Sequence, residues 1–584
     1  MQRSKTHRNI ALLTVQALWL ASCSNPGTTP ERQADPRGQP GNLAPTEADS
    51  AEGVVVFTEG PFGGAAVVDL SLARRAYPSG PSSFGARGGP TGGIRYAGRF
   101  DSSGESYSSV DASGFMDVGV ARESSFAADV DTASWANVRR ILGSGAMPPE
   151  DAVRLEEFVN AFGYGVPGPT GQDAFGVHAE VAPCPWQPEH YLARLCVKTR
   201  EIEAARVPPC NLVFLIDVSG SMRTANKLPL LVRGMRLLVD QLRPQDSVSI
   251  VTYAAGVRVV LEGATGADKD QIKEVLGNLR AAGSTDGEGG IRRAYQLARQ
   301  HRVQGVNRVL LATDGDFNIG ISKVDELHKF ITEQKQDNVF LTVLGFGSGN
   351  LRDDRLETLA NRGNGIYAYI DRLAEARRVL VEQFGASMMT VAKDVKLQVE
   401  FDPRLVAGYR LLGYENRKLT SAEFRDDKKD GGELGAGHAV TALYQIVPKG
   451  QLVPGADAKG EDFVDAGHRE TGAGARLAKG PLLELRIRYK PPQGDKSREI
   501  TYPIELPARQ GPVSRDSRLA AAAAVFAMLL RGEETSDELS WERLDKLVAQ
   551  LDEKNNGVHD RDAAELRRLV GLAAQIRKGS SAEK

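Results

Sequence analysis

The chain is 584 residues long, 41% hydrophobic and 25% charged, which is more than one hydrophobic core accommodates, so several domains are expected. Its 73 basic and 75 acidic residues leave a formal charge of −2. A near-neutral chain lacks the basic face that phosphate binding needs, which argues against nucleic acid as a partner.

The first element is an export signal. Arg3, Lys5 and Arg8 precede a short, mostly apolar run from Ile10 to Ala21, too short for a mature membrane span, so residues 1–22 read as a signal peptide. Leu20-Ala21-Ser22-Cys23 resembles the bacterial lipobox, whose cysteine is lipidated and becomes the first mature residue; Ser24 after it favours an outer membrane. An ordinary signal peptide ahead of a chance thiol is the plainer alternative. Residues 23–110 read as a low-complexity tether, rich in Pro, Gly, Ser and acidic residues. Within it Val54 to Leu72 carries two apolar runs suited to a short hairpin.

Residues 111–205 follow as a small N-terminal α+β domain, with order beginning near Phe126. Asp131 is expected to cap a helix through Trp135 and Val138, stopped by Gly143-Ser144-Gly145. Pro148-Pro149 should start a second helix that continues to Phe162. Strands are expected at Val177 to Val181 and Leu192 to Thr199. Cys184, Cys196 and Cys210 offer one disulfide in an oxidising compartment, or simply three small buried residues.

Residues 206–386 alternate strand and helix. The apolar strand Leu212 to Ile216 is followed by an amphipathic helix at Leu228 to Leu242, and further strands lie at Val248 to Tyr253, Val306 to Ala312, Val339 to Leu344 and Ile366 to Ile370. Val257 to Leu261 follows its neighbour so closely that it is expected as an antiparallel edge. The fold class is therefore α/β, a doubly wound, mostly parallel sheet, which binds ligands beyond the carboxyl ends of its strands.

The strand ending at Ile216 runs into Asp217-Val218-Ser219-Gly220-Ser221. A carboxylate and two hydroxyls spaced by one residue can converge from a tight turn on one small cation, as hard oxygen ligands. Thr285, ahead of a helix, and Asp314, after a strand, fall on the same rim. This constellation resembles the von Willebrand factor type A (VWA) fold with a metal-ion-dependent adhesion site. The resemblance implies Asp217, Ser219, Ser221, Thr285 and Asp314 as the metal residues, with Mg²⁺, or Mn²⁺ or Ca²⁺, as the ion, and a protein partner presenting Asp or Glu. Asp286 and Asp316 are taken as solvated turn residues. Asp129 to Arg140, Ala392 to Lys396, Gly413 to Arg417 and Gly435 to His438 extend the resemblance to a bacterial lipoprotein family in which VWA lies between an N-terminal and a C-terminal domain.

Residues 387–578 change pattern. Val395 to Phe401 alternates apolar and polar residues, similar pieces recur at Val440 to Val447 and Leu482 to Tyr489, and the tail from Leu519 is helical. A β-rich domain with a helical tail is expected. Gly345-Phe346-Gly347-Ser348-Gly349 imitates a dinucleotide loop, but its glycine spacing is wrong, so it reads as a sheet-rim loop. His438, in a Gly-rich turn, reads as structural. No catalytic residue is assigned. The leading expectation is a non-enzymatic, lipid-anchored envelope protein, periplasmic or surface-exposed, that binds through a cation. The rivals are a metal-dependent hydrolase, which needs a general base beside the ion or a second metal, and a structural envelope protein with a stabilising metal site.

Overall fold

The computed structural model describes residues 104–581, apart from short stretches at 110, 172, 204–205, 316–320, 335–337, 384, 386–388, 456–479, 507–510, 534–538 and 553–557. The signal peptide, Cys23, the expected hairpin at 54–72 and Asp316 lie outside the described residues.

The central sheet contains strands β1 (Cys210–Asp217), β2 (Ser247–Tyr253), β3 (Val257–Thr265), β4 (Val306–Thr313), β5 (Val339–Phe346) and β6 (Tyr367–Ile370). Their order across the sheet is β6-β5-β4-β1-β2-β3. All pairings are parallel except that of β2 with β3, the expected antiparallel edge. Every residue of β1 and β4 is buried, because helices cover both faces and leave no alternation to read. Among these helices are α1 (Leu228–Gln241), α2 (Gly287–Gln300) and α3 (Asp353–Arg362). Separate apolar clusters form on the two faces, one around Phe214, Met235 and Phe346, the other around Tyr253, Tyr295 and Tyr367. From β1 successive strands are added toward one edge of the sheet, and from β4 toward the other, so the gap between β1 and β4 is the switch point where open α/β sheets bind ligands.

The regions before and after this unit are not two bodies in space. One sheet has the order Met116–Asp117, Val406–Leu412, Ala439–Pro448, Gln187–Thr199 and Phe175–Cys184. The other has Lys418–Leu419, Glu123–Ala127, Thr390–Phe401, Pro481–Lys490 and Arg498–Glu505. Each mixes strands from both sides of the central unit, and the two share the core around Phe126, Tyr414 and Tyr444. The segments expected as separate flanking domains therefore close on one another, with the α/β unit inserted between them. The helix Arg515–Leu530 packs beside this sandwich and is buried almost all round, as its apolar run from Leu519 requires. Among the described residues no helix is long and apolar enough to cross a membrane.

Several local expectations are corrected. The first N-terminal helix, Ala133–Gly143, has Thr132 rather than Asp131 at its N-cap. Asp131 instead accepts a hydrogen bond from the Tyr367 backbone N–H at 2.9 Å, tying the helix start to the central sheet. The expected second helix breaks into a short turn, Glu150–Ala152, and a helix, Leu155–Asn160, because Val153 and Arg154 are extended. Arg154 is drawn out of the helix by three carboxylates: it pairs with Glu157, and lies 2.7 Å from Asp353 and 3.4 Å from Glu357 of α3. Of the two alternatives left open for the cysteines, the structure has the second, three small buried residues. Cys184, Cys196 and Cys210 are free and buried. The hairpin pairs Cys196 with His178 and Cys184 with Gln187, which puts those thiols at opposite ends of it. Burial pushes the Cys184 thiol up to about 12 and Cys210 up to about 11, so they behave as small apolar residues. His438 serves structure, its Nδ1 accepting the Gly435 N–H at 3.2 Å, and burial pushes its imidazole down to about 4.

Order also begins earlier than expected. Gly104 to Tyr107, assigned to the tether, lies against the loop after β5. Ser106 N–H donates to the Leu351 carbonyl at 2.9 Å, Asp353 N–H donates to the Ser106 carbonyl at 3.1 Å, and Ser106 Oγ donates to Asp354 at 2.6 Å. Glu105 is buried, accepting the Gly349 N–H at 2.7 Å and pairing with Arg140 at 2.9 Å. These contacts are polar, so no apolar pattern announces them.

Candidate metal centre

The register of β1 decides where the site lies. Ile216 pairs with Ala312, so Asp217 ends its strand next to Thr313, the last residue of β4. Asp217 is fully buried. Its Oδ1 accepts the Ser219 backbone N–H at 2.8 Å and its Oδ2 accepts the Thr313 hydroxyl at 3.1 Å. The Ser219 and Ser221 hydroxyls lie 3.0 Å apart, and Ser221 hydrogen-bonds onward to the Asp314 carboxylate. Asp217, Ser219, Ser221 and Asp314 thus form one continuous run of oxygens.

The segment carrying Thr285 is held at the same rim by the backbone of its neighbours. Ala282 N–H donates to the Val218 carbonyl at 2.7 Å, Gly220 N–H to the Gly283 carbonyl at 2.9 Å, and Asp286 N–H to the Ala254 carbonyl at 2.7 Å. Gly283 takes φ +89°, a left-handed turn that suits glycine. These bonds seat the half-buried Thr285 beside the Ser219–Ser221 turn. Asp286 is exposed and caps α2 by accepting the Gly289 N–H at 3.3 Å, the turn role expected of it.

The two carboxylates differ electrostatically. Burial pushes the Asp217 carboxyl up to about 6, against hydrogen bonds from Ser219 and Thr313 and with the like charge of Asp314 adding to the rise. At Asp314 burial acts the same way but is outweighed by Lys227, Ser221 and Asn350, which hold the carboxyl below its ordinary range. The Lys227 ammonium donates to Asp314 Oδ2 at 2.8 Å and to Asn350 Oδ1 at 2.9 Å.

Thr313, Lys227 and Asn350 were not singled out by the sequence. Thr313 is adjacent to Asp314, but its bond to Asp217 depends on sheet register. Lys227 directly precedes the apolar helix α1 and reads only as its boundary. The loop Gly345 to Gly349 is a sheet-rim loop, as expected, and its glycines have a specific use. Gly347 has φ +80°, and a Cβ there would lie 2.3 Å from Lys227 Cε. Its missing side chain is the space through which the lysine stem passes.

The donor set fits a hard cation. Among the described residues no three His, Cys, Asp or Glu side chains gather as a ligand group, whereas the two carboxylates and the two serine hydroxyls make an all-oxygen set of the kind Mg²⁺ and Mn²⁺ prefer, with Thr285 on a neighbouring loop. The Asp217 carboxyl, raised by desolvation, gains from a nearby cation.

The comparisons with known proteins agree with this architecture. A family model described as von Willebrand factor type A domain matches residues 212–316, the stretch that carries Asp217, Ser219, Ser221, Thr285 and Asp314. Models described as von Willebrand factor and as uncharacterized protein YfbK, C-terminal, match residues 101–194 and 386–576. The uncharacterized protein YfbK of Escherichia coli (strain K12) is 38% identical over 467 residues, 77% of this chain and 77% of that protein. Inter-alpha-trypsin inhibitor heavy chain H2 of Homo sapiens is 30% identical over 167 residues, 27% of this chain and 17% of that protein. A solved structure of von Willebrand factor type A from Catenulispora acidiphila aligns with 69% of this chain and 98% of its own, at 16% identity and a TM-score of 0.37.

Proposed function

The chain belongs to the bacterial VWA-containing family of Escherichia coli YfbK, and from that premise we propose that it is a cell-envelope lipoprotein that binds a protein partner through a divalent cation held at the Asp217 cluster. VWA domains generally mediate protein–protein interaction rather than catalysis. The observation that carries the proposal is the continuous run of oxygens at the carboxyl ends of β1 and β4, at the switch point of the sheet.

In this reading Ser219, Ser221 and Thr285 supply hydroxyl oxygens, while Asp217 and Asp314 balance the charge directly or through water. Mg²⁺, or Mn²⁺ or Ca²⁺, would offer there an exchangeable position for a hard anionic ligand, and an Asp or Glu of the partner is the natural occupant. Lipidation of Cys23 would anchor the chain in an outer membrane.

The test is capture from the membrane fraction. A partner retained with Mg²⁺, released by EDTA and lost with Asp217→Ala is the expected result, and Cys23→Ala should move the protein itself out of that fraction. Capture that survives both EDTA and Asp217→Ala would remove the site from binding.

A further inference from the structure

We propose that Lys227 is a built-in counter-cation of the metal cluster, one that weakens metal binding and gives the loaded site the positive charge that selects an acidic partner. The inference rests on the metal-site reading above and assigns the property that would make that site prefer a carboxylate.

Lys227 is buried, and its head group donates to Asp314 at 2.8 Å and Asn350 at 2.9 Å. Burying an ammonium is costly unless it is well paired, and a buried ion pair replaced by apolar side chains of similar volume is often no less stable. Packing alone therefore gives no reason for lysine here. The surrounding loop is nevertheless shaped to admit it: the stem crosses Gly347, where any side chain would collide with it, and Asn350 takes a second proton of the head.

The charge balance shows what this achieves. Asp217 and Asp314 bring two negative charges and Lys227 brings one positive charge. Without the lysine, a divalent cation would neutralise the cluster and leave little electrostatic reason for a further anion to join. With it, the loaded cluster keeps one unit of positive charge in a buried setting, and a partner carboxylate restores neutrality. The same ammonium holds Asp314 Oδ2, so the incoming ion must share that carboxylate. Lys227 would thus lower affinity for the ion and raise affinity for the partner carboxylate.

Mn²⁺ binding to the full chain, followed by electron paramagnetic resonance of the free ion, tests the first half. Lys227→Met removes the charge and keeps an unbranched stem, and Lys227→Gln keeps a donor toward Asp314. Both should bind Mn²⁺ more tightly than wild type, by about tenfold or more, the factor by which one opposite charge at contact distance shifts a neighbour's ionisation. Acetate, titrated as a carboxylate probe against the water relaxivity of bound Mn²⁺, should displace water at lower concentration in wild type than in either variant. Equal or weaker Mn²⁺ affinity in the folded variants overturns the role of Lys227 and leaves the metal site standing, as does an equal acetate response for the selectivity half. No Mn²⁺ uptake by any of the three proteins removes the metal site, and Lys227's role with it.

Discussion

Glu157 is buried in the seam between the N-terminal helices and the central sheet, accepting the Ser134 N–H at 2.7 Å and pairing with Arg154. Burial pushes its carboxyl up to about 7 despite Arg154, and Glu357, Asp129 and Asp353 add like charge. Because the folded value lies above the ordinary 4.5, the folded state holds this proton more tightly than the unfolded one. The associated stability is fully present below the ordinary value and is lost as pH rises through about 7. Glu157→Gln removes the titration, so the variant should gain on wild type between pH 5 and pH 8, by on the order of 3 kcal/mol. Denaturant melts across that range check it, and a constant difference between the two proteins would contradict it. At this scale the sequence was most legible where chemistry and spacing coincide in one turn, as at Asp217, Ser219 and Ser221. It was silent where a role depends on a partner from a distant segment. Lys227 meets Asp314 and Asn350 only after three separate loops converge on the rim, and Glu157 meets Asp353 and Glu357 only after α3 packs against its helix.

The element with the clearest unannounced role is the strap Gly104 to Tyr107. It holds one side of the loop Gly349 to Asp354, and Asn350 on that loop holds Lys227. Gly104 is required by close approach, since a Cβ there would lie 1.8 Å from the Gly349 carbonyl oxygen. Gly104→Val should therefore unseat the strap, and amide exchange in residues 349–354 should speed up by about tenfold or more while β1 and β4 stay protected. Unchanged exchange in that loop would show that the strap does not hold it. Strands and helices of the central unit were readable because long apolar runs alternate with amphipathic ones. The strap was not, because it is held by backbone and polar side chains. The helix expected after Pro148-Pro149 was read too long for a related reason: Val153 and Leu155 fit a helical stripe, but Arg154 is pulled extended by carboxylates that no local pattern includes.

The described residues form an α/β unit inserted into a sandwich whose strands come from both sides of it in the sequence. Alternation along Val395 to Phe401 was enough to recognise a half-buried strand, but not that its partners are Glu123–Ala127 on one side and Pro481–Lys490 on the other. Pairing across such sequence distances is set by global closure, which local periodicity does not encode. The insertion leaves the carboxyl rim of the central sheet carrying the oxygen cluster, while the apolar strands beneath it are covered without help from an ion. Metal binding and folding should therefore separate cleanly in a variant. Calorimetric titration of Mg²⁺ into wild type and Asp217→Ala, with thermal melts of both apo proteins, tests this most directly. One saturable Mg²⁺ site is expected in wild type and none in Asp217→Ala, with a cooperative melt retained in the variant; equal Mg²⁺ affinity in the two proteins would remove Asp217 from the site.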